Sequence, residues 1–307
     1  MTRTIVTGGA GFLGSHVADA LSTQGHEVVI FDRRESPYRQ PNQEEVLGDL
    51  QDFDLLTRTF RGAEHIYHLA ALADLNAARS LPRETANVNV LGTVNALEAA
   101  RLAQVKRFVF ASTVYVYSEQ GSFYRASKQA CEAYVEEYQR QFGLDYTILR
   151  FGSLYGPRAD ETNGVYRLLR EAVKRGKIRY LGAPEDAREY IHVADAARLS
   201  AEILTPEYAN QCLMITGHYP MRARDLFTMF SEILGKEIEV EYVDPQGLDS
   251  HYRVTPYRYH PRLARKLTST QYVDMGQGAM EVLEQIQGEM ENPPAGSAGG
   301  AERKPIQ

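Results

Sequence analysis

The feature that most constrains this chain is a glycine-rich run close to its start. Thr7-Gly-Gly-Ala-Gly-Phe-Leu-Gly14 follows a short apolar stretch, Thr4–Thr7, and leads into the helix-patterned segment His16–Thr23. Glycine is needed where a chain turns sharply, where backbone must touch a pyrophosphate, and where a helix packs closely on a strand. Gly8, Gly11 and Gly14 are spaced for those three demands. A helix that opens directly after such a turn offers unpaired N–H groups and the positive end of its dipole, which suits phosphates. The next apolar stretch, Glu27–Phe31, ends at Asp32, an acid placed to accept from adenosine ribose hydroxyls. Strand, glycine turn, helix and terminal acid together predict dinucleotide binding. Asp32 would repel a 2′-phosphate, so NAD is favoured over NADP, although Arg33 and Arg34 partly offset that repulsion.

The rest of the first half keeps the same rhythm. Further strand candidates are Glu45–Leu47, Ile66–Leu69, Arg107–Ala111 and Asp145–Leu149, and the helix-patterned segments between them are Asp54–Phe60, Ala86–Leu102 and Ser127–Phe142. Strands alternating with helices of this length imply right-handed crossovers and a parallel sheet covered on both faces. The expected class is therefore α/β, a Rossmann-type doubly wound parallel sheet over residues 1–157. Beyond Pro157 the rhythm loosens, with helices expected at Val165–Arg175, Ala194–Leu204, Ala223–Leu234 and Gln277–Gln287. Residues 158–290 read as a smaller C-terminal substrate-binding domain, part of which returns to the Rossmann sheet. Residues 291–307 carry Pro293, Pro294 and a Gly/Ala/Ser run that cannot bury a core, and read as a disordered tail.

Composition narrows the functional classes. The 307 residues carry 40 acids against 34 Lys and Arg, a net charge of −6, with 43% hydrophobic and 24% charged residues. Mild acidity argues against nucleic-acid binding by counterion release, which needs clustered basic charge. No run of about 18 uncharged apolar residues exists to span a membrane. The chain enters a strand at once, and a cytoplasmic protein is expected. Cys131 and Cys212 are too few for a disulfide framework and are expected as buried small hydrophobes. His65 and His68 lie on one strand without a third ligand, so no metal site is expected, and His192 reads as a structural helix cap.

The remaining chemistry gathers after the fifth strand. Tyr124 and Lys128 are four residues apart at the start of a helical segment and share one face. A tyrosine near pKa ~10 is a poor base at neutral pH, and an adjacent ammonium, with a positive nicotinamide, is expected to stabilise its phenolate. Thr113 ends Phe108-Val-Phe-Ala-Ser-Thr113, at the carboxyl edge where doubly wound sheets bind their ligands.

With these residues in view, the chain resembles the extended short-chain dehydrogenase/reductases, and within them the nucleotide-sugar epimerases and dehydratases. The resemblance covers about residues 3–288. It rests on the Gly-x-x-Gly-x-x-Gly spacing, Gly48-Asp49-Leu50, His68-Leu69-Ala70-Ala71, Asn89 in Asn-Val-Leu-Gly-Thr93, Tyr124-x-x-x-Lys128, Leu149-Arg150 through Arg158, and Arg188 through Asp195. For the cofactor, the resemblance implies contacts from Gly8, Gly11, Phe12, Leu13, Asp32 and Arg33. Asp49 and Leu50 would hold the adenine, while Leu69, Ala70 and Ala71 would run under the pyrophosphate and ribose, supported by Asn89. Ser112, Tyr124, Lys128 and Phe151 complete the cofactor set. Thr113, Tyr124 and Lys128 are the catalytic group that it implies. Substrate contacts are expected from Thr113, Ser153, Arg179, Leu181, Arg188 and Arg253, with Tyr257 and Tyr259 near the sugar-size gate.

The segment after Thr113 selects the reaction. Related dehydratases carry Asp-Glu where Val114 and Tyr115 stand, related decarboxylases carry a glutamate at the position of Tyr115, and epimerase-reductases carry a cysteine at the position of Thr113. What the resemblance leaves is oxidation and reduction without further acid–base chemistry: epimerization of a nucleotide-linked sugar, the expected substrate being a UDP-hexose, at C4, through a transient 4-keto form. Two features depart from the pattern. The loop Ser118–Phe123 is short, and Ser153 stands where many relatives place an asparagine. A 4-ketoreductase, an atypical dehydratase and a non-catalytic NAD-binding regulator stay open as alternatives. A homodimer is expected through Ala86–Leu102 and Ser127–Phe142, whose outward faces include Tyr134 and Tyr138.

Overall fold

The structure is a computed structural model that describes residues 2–244, 254–255 and 265–291. In chain order the first half runs β1 (Arg3–Thr7), α1 (Phe12–Thr23), β2 (Glu27–Asp32), β3 (Glu44–Leu47), α2 (Phe53–Phe60), β4 (His65–His68), α3 (Leu75–Ser80), α4 (Pro82–Thr85), α5 (Gly92–Leu102), β5 (Arg107–Thr113), α6 (Ser122–Phe142) and β6 (Tyr146–Phe151). The second half adds β7 (Ser153–Tyr155), α7 (Gly164–Arg175), β8 (Lys177–Leu181), β9 (Ala187–His192), α8 (Val193–Glu202), β10 (Gln211–Ile215), β11 (Pro220–Arg222), α9 (Ala223–Leu234), β12 (Glu239–Val243), β13 (Arg265–Lys266) and α10 (Met275–Glu291).

Eight parallel strands form the main sheet in the order β13-β10-β6-β5-β4-β1-β2-β3. This is the doubly wound parallel sheet expected from the alternating pattern. The near-continuous apolar runs follow from burial on both faces. Ile5, Ile66 and Phe108 point into one core with α2, α5 and α6, while their neighbours Val6, Tyr67 and Val109 point into the other with α1 and α8. Each fully buried Ile, Leu or Phe in these layers contributes about 1.5–3 kcal/mol. A third core lies among α7, α9 and α10 and takes in Tyr166, Leu169, Phe227, Phe230 and Val282. Two small sheets, β11-β9-β7 and β12-β8, border it.

Several helices differ from expectation, among them α1, which begins at Phe12 and not His16, and α10, which runs to Glu291; two of the differences shape the site. The segment expected as one helix from Ala86 begins as a π-helical turn, Ala86–Leu91, before α5 takes over. The wider turn leaves the Asn89 carbonyl to accept from the Thr93 hydroxyl at 2.6 Å and from the Cys131 thiol at 3.1 Å. The helix expected from Ser127 begins at Ser122, entered through Gly121 at φ +95° and Ser122 at φ +48°. Tyr124 therefore lies in its first turn. Cys131 is buried and Cys212 partly so, packed against the first core. Residues 292–307, together with Arg253, Tyr257 and Tyr259, lie outside the described residues. Among the described residues no helix is long and apolar enough to cross a membrane, and no cluster of three His, Cys, Asp or Glu is arranged to hold a metal.

Candidate active site

All eight strands run the same way, so their carboxyl ends share one edge, and the sequence-expected residues collect there. The edge has a crevice between β1 and β4, where the strand order reverses. Gly8 sits in it at φ +74°, and a Cβ there would come within 2.6 Å of the Ala70 nitrogen. Only a glycine lets the turns after β1 and β4 approach this closely. Leu69 N–H donates to Thr7 O at 3.1 Å and Ala70 N–H to the Thr7 hydroxyl at 3.4 Å, which pins the second turn to the first. Gly14 has the other role: its Cβ would meet Gly8 O at 2.1 Å, so α1 seats on the turn only without a side chain.

The cradle fits an adenine dinucleotide. Gly11 caps α1, no acid stands in the first turn, and the helix therefore directs an uncompensated positive end at the turn. Asp32 closes β2, and its Oδ2 accepts from Ala10 N–H at 3.1 Å, which aims the carboxylate across the loop. Arg33 reaches toward Asp49 at 3.8 Å. Leu50 is buried beneath Gly92, where a Cβ would clash at 2.8 Å, and Asn95 Nδ2 donates to Leu50 O at 2.9 Å. Phe12 and Leu13 open α1 and touch different cores, Phe12 that of the second half and Leu13 that of the sheet.

Asn89 reaches out of the π-helical turn to the segment after β4. Its amide bonds both polar groups of Leu72, accepting at 2.7 Å and donating at 3.1 Å, and donates to the Ser127 hydroxyl at 2.9 Å. One buried amide thus ties the 69–72 segment to α6. Beneath it His68 is fully buried between the hydroxyls of Thr7 (2.8 Å) and Thr93 (3.0 Å). Burial, with Lys128 nearby, lowers His68 to about 3, so its ring is neutral at any ordinary pH.

Thr113, Tyr124 and Lys128 come together where β5 meets α6. The Tyr124 hydroxyl shares a hydrogen bond with the Thr113 hydroxyl. Lys128 is buried, donates to Ala111 O at 2.7 Å, and lies 4.7 Å from the Phe110 ring centroid and 5.9 Å from that of Tyr124. Burial lowers its ammonium to about 8. The expected lowering of Tyr124 by this ammonium is not what the structure has. Burial raises the phenol above its ordinary value, the Thr113 hydrogen bond only moderates the rise, and Lys128 spends its proton on a backbone carbonyl. The protein's own surroundings therefore favour the neutral phenol of Tyr124.

Other expected residues lie around this group. Phe151 is buried at the end of β6, paired in register with Thr113, and Ser153 begins β7 opposite Tyr190. Ser112 donates its hydroxyl to Glu132 at 2.5 Å, which turns that side chain inward. Arg188 is half-buried on β9. Arg179 and Leu181 occupy the exposed face of β8, with Arg179 beside Glu241 at 3.9 Å. His192 caps α8 by accepting from Ala194 N–H at 3.3 Å, and its Nε2 lies 2.9 Å from the Glu281 carboxylate. The residues that sequence reasoning missed are Glu132, Arg150, Ser127 and Thr7. Glu132 had a signal, because it continues the Tyr124, Lys128 series by one more helical turn.

Comparison with known proteins agrees with this geometry. The profile of the NAD dependent epimerase/dehydratase family matches residues 4–211. The UDP-glucose 4-epimerase of Mycolicibacterium smegmatis is 32% identical over 271 residues, covering 80% of this chain and 86% of that protein. A putative UDP-glucose 4-epimerase of Methanocaldococcus jannaschii is 29% identical over 263 residues, covering 79% and 86%. The crystal structure of the Thermotoga maritima UDP-glucose 4-epimerase with UDP-glucose superposes with a TM-score of 0.82 at 26% identity, covering 94% of this chain and all of that one. A profile spanning two thirds of the chain, laid over a glycine cradle, a ribose acid and a Thr–Tyr–Lys group, makes this protein a member of the NAD dependent epimerase/dehydratase family.

Proposed function

We propose that the protein is an NAD-dependent epimerase that inverts C4 of a nucleotide-linked hexose, most simply a UDP-hexose, through a 4-keto sugar. The observation that carries this reading is the Thr113–Tyr124–Lys128 group at the end of β5, followed directly by Val114 and Tyr115. Those two side chains hold no carboxylate to expel water or to abstract a proton from the neighbouring carbon. A redox step that is then reversed needs neither.

Residues 1–157 hold the cofactor through Gly8, Gly11, Phe12, Leu13, Asp32, Arg33, Asp49, Leu50, Leu69, Ala70, Ala71, Ser112, Phe151 and the Asn89 strut. NAD, when bound, supplies the reversible hydride acceptor and a positive ring. Beside Lys128, Tyr124 would then face two positive charges, which together would favour its phenolate. Tyr124 then removes the proton from the C4 hydroxyl as the C4–H bond breaks, and returns it when the bond re-forms on the other face. Thr113 holds the same oxygen, and Lys128 also orients the nicotinamide ribose. For the second face to be presented, the nucleotide must stay anchored while the sugar turns. We assign the anchor mainly to residues 158–290, with Arg188 for the diphosphate and Arg179 and Leu181 for the base, joined by Ser153 from β7 and by Arg253, which lies outside the described residues.

The same reading implies a homodimer through Ala86–Leu102 and Ser127–Phe142, where Leu91, Leu102, Tyr134 and Phe142 are exposed while Tyr138 packs against the first core instead of facing outward. It also places the enzyme in the cytoplasm, where two cysteines that form no disulfide stay reduced. The test is incubation with UDP-glucose, UDP-N-acetylglucosamine or UDP-glucuronate, with NAD and no reductant, followed by NMR of the anomeric protons. A second hexose signal that settles at a mixture is the expected result. A keto-deoxy signal, or turnover only with added NADH, overturns the reading.

A further inference from the structure

A buried ion pair lies beneath the catalytic side chains and has no part in the reaction as outlined. Glu132 and Arg150 have side chains 3% and 1% exposed. Arg150 donates to both carboxylate oxygens, Nε to Oε1 at 2.9 Å and Nη2 to Oε2 at 2.6 Å. Ser112 donates to the same Oε1, and Arg150 Nη1 bonds the Tyr117 hydroxyl. Removing two charges from water is costly, and well-packed apolar residues commonly serve stability equally well in such a place. Fold stability alone therefore gives the pair no reason to be ionic.

Its placement gives one. Glu132 stands on α6, one turn past Lys128 and two past Tyr124, so all three share a face. Ser112 immediately precedes Thr113 at the end of β5, and Arg150 is next to Phe151 at the end of β6. Tyr117 ends the 3-10 turn that leads into the short loop before α6. Three elements thus meet on one carboxylate, and Arg150 ties in the 3-10 turn as a fourth through Tyr117. We propose that Glu132 is a positioning residue: clamped by Arg150, it locks α6 to the ends of β5 and β6, sets Thr113, Tyr124 and Lys128 at their mutual distances, and serves as counter-charge to the Lys128 ammonium. The proposal rests on the epimerase reading for its effect on turnover, whereas its effect on Lys128 rests on the face of α6 that the two residues share and is independent of that reading.

The surroundings of Lys128 support the second part. From its own helix it faces Tyr124, Cys131 and Glu132, from β4 His68, from β5 the Ala111 carbonyl and the Phe110 ring, and from β6 Arg150 by way of Glu132. Burial keeps the Tyr124 phenol and the Cys131 thiol protonated and the His68 ring neutral. That leaves the Glu132 carboxylate as the anion facing the ammonium among the described residues.

The test uses the whole chain labelled with 15N-lysine, the Lys128 signal being assigned by its loss in Lys128→Arg. Wild type is compared with Glu132→Gln and with the double variant Glu132→Leu/Arg150→Met, which removes both charges while filling their volume. We expect the Lys128 titration midpoint to fall by about one pH unit in Glu132→Gln, with the alkaline limb of turnover moving alongside it. The value of kcat should drop about a hundredfold, the usual cost of a misplaced catalytic group, with KM little changed. The double variant should regain thermal stability and not kcat. An unmoved Lys128 midpoint in Glu132→Gln, or a double variant as active as wild type, overturns the proposal. Should Glu132→Gln fail to fold, the double variant carries both readouts. The lysine titration needs no substrate, so a wild type inactive on every sugar with a shifted Lys128 midpoint would overturn the epimerase reading and support the counter-charge.

Discussion

Asn89 closes both polar groups of Leu72, accepting from its N–H at 2.7 Å and donating to its carbonyl at 3.1 Å. A side-chain amide here takes the part that a neighbouring strand would otherwise play. The segment 69–72 leaves the sheet at β4, held at its start by Thr7 and at its end by this amide. Because the same Nδ2 also bonds Ser127, one turn from Tyr124, the floor of the cofactor site and the catalytic helix move together.

Replacing Tyr124 with Phe should lower turnover at least about a thousandfold, as loss of an acid–base group commonly does, and leave bound NAD in place. Turnover assays beside the NAD content of the purified variant check both halves. Full activity would remove Tyr124 from the reaction.

Lys128 carries a stability cost that follows from its role. Its folded value of about 8 lies below the ordinary 10.5, so the unfolded chain binds more protons between those values and stability rises with pH across that window. Lys128→Met should therefore gain about 1–3 kcal/mol at pH 7, measured by urea unfolding. The gain should shrink towards zero above pH ~10.5 as the unfolded lysine also loses its charge. The variant should be inactive.

His68 works in the acid direction. It is lowered from 6.5 to about 3, so the folded state keeps a neutral ring while the unfolded chain takes up a proton below about 6.5. Stability is fully present above pH 6.5 and drains as pH falls towards 3. His68→Gln, which can still bridge Thr7 and Thr93, should flatten that loss in an unfolding series between pH 7 and pH 4.

Gly14→Ala places a Cβ 2.1 Å from Gly8 O, against backbone that cannot turn aside. A loss of about 2 kcal/mol or more is expected, together with weaker NAD retention because the turn and α1 part company. Thermal melting with and without added NAD separates the two effects.

Asp32→Ser should open the site to NADP. It removes the charge that repels a 2′-phosphate, and with it the bond that Oδ2 accepts from Ala10 N–H. Titration with the two dinucleotides should show NADP affinity rising at least tenfold, about the 1.4 kcal/mol that separates a tolerated from a repelled group.

Much of this architecture is written in local pattern. The alternation of apolar runs with helical segments predicts the parallel sheet, and the glycine spacing with Asp32 predicts the crevice, because each depends on residues within about thirty positions of one another. The π-helical turn at Ala86–Leu91 is hidden because an extra residue in one turn barely disturbs the apolar periodicity of the helix it joins. The Glu132–Arg150 pair is hidden for another reason. A buried arginine and a buried glutamate look like surface charges until a fold brings α6 against β6. The protonated Tyr124 belongs to the same class, since its state depends on how far Lys128 sits and where its proton points.

The strand β10 enters the main sheet beside β6, with Gln211 opposite Thr147 and Ile215 opposite Phe151. Sixty-four positions of chain separate these partners. During synthesis the first 150 residues emerge with every strand from β1 to β6 available, yet the outer edge of β6 stays open, an almost wholly buried strand with unpaired amides. It is closed only after β7, α7, β8, β9 and α8 have been translated. At ribosomal speeds of roughly 5–20 residues per second, that leaves an adhesive edge exposed for several seconds. The price of weaving the substrate half back into the cofactor sheet is thus met on the ribosome, by whatever shields that edge until residue 215 arrives.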